Sequence, residues 1–210
     1  MGALSGSMSP SKLIVRGDLP KDLRRAFMER ITLRAFRPLK VEEEAEERVG
    51  WCAVGQAFDL ELSPEKIFVG PYLCLGLRVD RYRFPPPVLN AELAKASRAA
   101  LQKSGHERLS RTQKTELKKR VVQALRRKYL PSMQMVDVVW HLDRQELFFW
   151  SQSAGLKERL GALFELCFAL TLSDISPYVV AERLFPGKPR NAALQNAELT
   201  AFHGEPDGSR

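Results

Sequence analysis

The chain has 210 residues, 44% of them hydrophobic and 9% aromatic, enough apolar surface for one sizeable core or two small lobes and too much for a disordered chain. Its 33 Lys and Arg outnumber 25 Asp and Glu, and the net charge of +8 favours polyanionic partners such as nucleic acid or an acidic membrane surface. No apolar run reaches the roughly 18 residues of a membrane span, and MGALSGSMSPSK lacks the apolar stretch of a secretory signal, so a cytoplasmic protein without a membrane partner is expected.

Residues 1–11 are Gly/Ser-rich and read as a flexible tail, and the folded domain is expected over 12–185. Leu13, Ile14 and Val15 make a short apolar run that predicts a strand. Asp18 or Pro20 then opens a helix in which Leu23, Phe27 and Ile31 recur at helical spacing. The acidic EEEAEER, residues 42–48, predicts a solvated turn ahead of a core contact made by VGWCAVG. Tyr72 to Val79 predict a long central strand, which Pro85, Pro86 and Pro87 stop because proline cannot donate to a ladder.

The prolines lead into a helix over NAELAKASRAALQK that Gly105 ends. Ser110 and Gln113 form the S-x-x-Q variant of a capping box and open a second helix, running to about Tyr129. The two make a helical hairpin over about 86–130, a sub-lobe of the domain. MQMVDVVWHL and ELFFW flank Asp143, Arg144 and Gln145 and predict a β-hairpin; Leu156, Leu160, Leu163 and Phe164 mark a helix, and Ala169 to Leu172 return as a strand. Beyond Phe185 no period is sustained, and residues 186–210 read as a flexible tail. Strands and helices mix without regular βαβα alternation, which predicts an α+β fold: a largely antiparallel sheet with packed helices and a basic helical hairpin.

Positive charge concentrates between Lys103 and Lys128, where ten basic residues face Glu107 and Glu116, a local excess equal to that of the whole chain. On a helical wheel Leu117, Val121, Ala124 and Leu125 share a core-facing arc, with Lys119, Arg120, Arg126 and Arg127 largely across from it. Such cations neutralise phosphates and release counterions, giving sequence-tolerant, salt-sensitive binding of RNA or of single- or double-stranded DNA, and the plain alternative is a solvated basic face. The candidate DNA-binding residues are Arg111, Lys114, Lys118, Lys119, Arg120, Arg126, Arg127 and Lys128. A second group, Arg78, Arg81 and Arg83 interleaved with Tyr82 and Phe84, reads better as a strand end with aromatics in and arginines out.

Catalysis finds no foothold in the sequence. There is no P-loop, G-x-G-x-x-G or G-x-S-x-G, and neither Asp59 with Glu61 nor Asp137 with His141 and Asp143 makes a convincing metal-nuclease constellation. Cys52, Cys74 and Cys167 lie singly in apolar stretches and read as buried thiols, so neither a disulfide, a metal nor a cofactor is expected. The protein is read as a non-enzyme.

Taken in order, KLIVRGDLP, the helix ending in FRPL, ERVGW, the strand before PPPVLNAELAK, SRTQKTELKKRVVQALRRKYLP and MQMVDVVWHLDRQELFFWSQS resemble RdgC, the recombination-associated protein family, over about residues 12–175. The resemblance implies a non-catalytic DNA-binding protein of little sequence preference that forms a homodimeric ring around duplex DNA and restrains RecA-driven strand exchange in recombination or at replication forks. Carried over to this chain, the family's DNA-facing surface draws on Lys114, Lys118, Lys119, Arg120, Arg126 and Arg127. RdgC proteins continue well past the stretch matching LTLSDISP, so the likeness is mainly to their N-terminal part. A monomer on DNA, a different dimer and an interaction module all stay open. The alternative to DNA binding is a protein-protein interaction module of RdgC-like fold that binds DNA weakly and covers a partner with Phe148, Phe149 and Trp150. A nuclease would require divalent metal held by Asp59 and Glu61.

Overall fold

In the computed structural model, residues 2–4, 10–104 and 108–184 are described. The fold is α+β, built on a seven-stranded curled sheet of order β2-β4-β5-β6-β1-β7, with β3 paired to β4 off that path. The strands are β1 (Ser11–Arg16), β2 (Glu47–Cys52), β3 (Phe68–Val69), β4 (Tyr72–Arg81), β5 (Ser132–His141), β6 (Glu146–Phe149) and β7 (Thr171–Asp174). The helices are α1 (Leu23–Leu33), α2 (Pro64–Ile67), α3 (Pro86–Ser104), α4 (Arg111–Arg126), α5 (Ala154–Phe168) and α6 (Pro177–Leu184). The chain divides into two compact units, Met1–Leu172 and Ser173–Arg210, and the described part of the second consists of the end of β7 and α6.

Alternation decides which face of the sheet is core. Leu73, Leu75, Leu77 and Val79 of β4 point the same way as Val136, Val138 and Trp140 of β5 and Leu147 and Phe149 of β6. Onto that face α1 brings Phe27 and Ile31, and α5 brings Leu156, Leu160, Phe164 and Phe168, each helix burying one stripe. The aromatic rings interlock there: Phe27 lies 5.4 Å from Trp140 and 4.8 Å from Phe168, and Trp140 meets Phe164 edge-on at 5.2 Å. α5 stops at Ala169, whose φ of 57° is the left-handed conformation that ends many helices.

The predicted hairpin is β5 and β6, joined through residues 142–145. The first part of the segment VGWCAVG does more than make a core contact, because Val49 to Cys52 with Glu47 and Arg48 form β2, antiparallel to β4. Gly50 is required there: a Cβ would sit 2.5 Å from the Cα of Phe36, since residues 34–36 run beside Trp51.

The second face of the sheet is polar at its centre. Arg78, predicted to point outward, is 6% exposed. Its Nε and Nη2 donate to Asp80 at 2.9 and 2.7 Å, its Nη1 donates to the Ala57 carbonyl at 2.9 Å, and its guanidinium lies 4.1 Å from the Phe36 ring. The outward expectation fails because the chain after β2 returns over this face and buries it. Tyr82 is buried and Arg83 exposed, as the alternation predicted.

Candidate nucleic-acid interface

The helical hairpin forms from local signals. Pro86 and Pro87 start α3, and α4 begins with a complete capping box in which the Gln113 amide donates to Ser110 Oγ at 3.2 Å and the Ser110 amide donates to Gln113 Oε1 at 2.9 Å. α3 and α4 pack on each other. Gly105, expected to end the first helix, lies outside the described residues. α4 ends at Arg126, one turn before the predicted Tyr129, and Arg127, Lys128 and Tyr129 continue as a turn.

Seven of the eight candidate cations are exposed: Arg111, Lys114, Lys118, Lys119, Arg120, Arg127 and Lys128. Val121 and Leu125 anchor α4, Leu117 is half-buried, and Ala124 is exposed, so the core-facing arc is narrower than the wheel suggested. Arg126 departs from the expected cationic back altogether. It is 5% exposed, its guanidinium donates to the main-chain carbonyls of Glu43 and Glu44, the latter at 3.2 Å, and it lies 4.9 Å from the Tyr82 ring. The acidic segment before β2 folds against this side of α4 and encloses Arg126.

Around that contact Lys118, Lys119 and Arg126 line a cleft of about 310 Å³ with Glu42, Glu43, Glu44 and Glu46. Lys119 Nζ lies 3.1 Å from Glu44 Oε1 with both side chains solvated, and Arg120 lies 3.7 Å from Glu116 on its own helix. Such exposed pairs contribute little to stability and leave both cations available to an outside anion. At about 100° per residue, Arg120 and Arg127 project within about 20° of one another, on a flank turned away from the acidic segment.

The other candidate clusters carry structural duties. Asp137 is 1% exposed and accepts hydrogen bonds from the amides of Ala3 at 2.7 Å and Gly55 at 3.0 Å. Asp59 accepts from Lys66 Nζ at 2.7 Å and from the Glu61 amide at 3.1 Å, and these bonds hold its carboxyl below the usual range. Among the described residues no group of three or more His, Cys, Asp and Glu is arranged to hold a metal ion. Phe149 is fully buried in the core, and Phe148 and Trp150 are half-buried, so the aromatic hairpin does not present the three rings as one surface. Burial pushes the thiol of Cys52 up to about 12 and that of Cys167 up to about 11, so both are protonated at neutral pH, and all three cysteines are unbridged.

No helix among the described residues is long and apolar enough to cross a membrane. The class defined by fold and surface is an α+β protein carrying a basic helical hairpin. The chain matches no family model and no curated protein.

Proposed function

We propose that this protein is a non-catalytic, sequence-tolerant DNA-binding protein of the RdgC type that modulates recombination or replication-fork processing through phosphate contacts from α4 and the turn after it. The observation that carries the reading is the exposure of Arg111, Lys114, Lys118, Lys119, Arg120, Arg127 and Lys128 on one helix and its terminal turn. Lysine and arginine side chains presented this way meet phosphates without reading base edges, and each phosphate neutralised releases condensed counterions. The order of sequence segments shared with RdgC supports the same function, including homodimerisation on DNA and engagement with recombination proteins in the cytoplasm.

The test is fluorescence anisotropy with labelled duplex and single-stranded DNA across a salt series, comparing the protein with a Lys119→Ala, Arg120→Ala, Arg127→Ala variant. Arg126 stays intact because it is part of the fold. The variant is expected to bind more weakly and to lower the slope of log affinity against log salt by about 2 to 3, close to 0.9 per lost phosphate contact on duplex. Equal affinity and slope for the two proteins would remove α4 from the interface.

A further inference from the structure

The outer edge of β2 is only partly paired. The Trp51 amide donates to the Arg34 carbonyl at 3.0 Å, and the Phe36 amide donates to the Trp51 carbonyl at 2.7 Å, so the backbone groups of Trp51 point away from β4. Polar groups two residues back point the same way, so Val49 and Glu47 present theirs on this edge too. The flanking segment runs parallel to β2, and the residues that would reach Val49 are wound into α1 instead. Among the described residues the amide and carbonyl of Val49 have no main-chain partner on this side. An unpaired edge is a template for another strand unless something blunts it.

The surroundings of this edge state what would fit. A groove of about 380 Å³ runs between the end of α1 and α5, with Val49 at its floor. Leu33, 71% exposed, and Leu166, 66% exposed, stand on its walls. Arg34, Arg37, Arg48 and Arg159 also line it. Arg159 is bound to Glu47 and Arg48 to Glu43, whereas Arg34 and Arg37 are exposed and have no carboxylate partner among the described residues. The groove therefore combines an open main-chain edge, apolar walls and uncompensated guanidinium charge.

We infer that this groove binds an extended acidic segment of a partner protein, which adds a short strand beside Glu47 and Val49, sets apolar side chains against Leu33 and Leu166, and places carboxylates on Arg34 and Arg37. Strand addition takes affinity from main-chain hydrogen bonds and specificity from alternate side chains, which matches apolar and acidic positions in alternation. A second copy of this chain docking edge to edge would bring the same arginines against each other. The inference does not depend on DNA binding by α4, which lies outside this groove.

The experiment is selection of a displayed library of random twelve-residue peptides against the full chain, followed by binding of a selected peptide to the protein and to an Arg34→Glu, Arg37→Glu variant. Acidic sequences with alternate apolar residues should be enriched, the variant should bind them at least tenfold more weakly, and the peptide should slow hydrogen exchange at the Val49 amide. Both substituted side chains are exposed, so the variant should melt with the parent. Enrichment of sequences without acidic residues, failure to select any peptide, or unchanged Val49 exchange on binding would overturn the inference. So would concentration-dependent dimerisation abolished by the variant, which would make the occupant a second copy.

Discussion

Arg126 and Arg127 are neighbours with opposite duties, and charge alone does not separate them. Arg127 is solvated, while Arg126 is enclosed by the acidic segment and donates to two main-chain carbonyls. Replacing Arg126 with Ala leaves those carbonyls short of donors and opens a void beside Tyr82, a class of change that costs about 2–4 kcal/mol. Arg126→Lys should recover part of this, because one ammonium cannot reproduce the planar fork. Thermal or denaturant unfolding is expected to show the loss, with the salt slope of DNA binding unchanged. A flattened slope at unchanged stability would instead place Arg126 among the phosphate contacts.

At the scale of elements, local chemistry was legible and enclosure was not. The Ser110 capping box, the proline start of α3, the β5–β6 hairpin and the Leu156, Leu160, Phe164 stripe of α5 each rest on residues close in sequence, and each forms where the pattern puts it. The strand character of Glu47 and Arg48 was hidden because acidic residues run directly into it. Periodicity places Arg78 and Arg126 outward because it reports one element at a time, whereas each is covered by a segment distant in sequence. The candidate surface was thus legible as a set of cations, except for the one that a tertiary contact removes.

The same hidden strand supplies an interelement ion pair. Arg159 of α5 donates to both oxygens of Glu47, at 2.6 and 2.8 Å, and this holds the Glu47 carboxyl below its ordinary value of 4.5. Because the folded state then binds this proton less tightly than the unfolded chain, the contribution is complete above the ordinary value and is lost as pH falls through the lower folded one. The pair is partly solvated, so about 0.5–1 kcal/mol is at stake. Glu47→Gln is expected to lower stability at pH 7 by that amount and to bring the two unfolding curves together in acid. A difference that persists unchanged at pH 2 would mean that packing, not charge, holds the contact.

Across the whole molecule, the net charge of +8 understates how unevenly the field is arranged. The most acidic segment of the chain lies against its most basic helix, with Glu44 beside Lys119 and four glutamates facing Lys118 and Lys119 across one cleft. If phosphates reach α4 from this side, they displace or skirt those carboxylates, and the like-charge repulsion subtracts from affinity. Glu42 and Glu44 are both exposed, so Glu42→Gln with Glu44→Gln removes two negative charges without disturbing the core. DNA affinity at low salt is expected to rise several-fold, and the gain should shrink as ionic strength increases, because exposed charges are screened beyond a Debye length of about 10 Å at 0.1 M. A rise that survives high salt would instead mark a rearrangement of the segment, and no rise at all would confine the DNA path to the Arg120 and Arg127 flank.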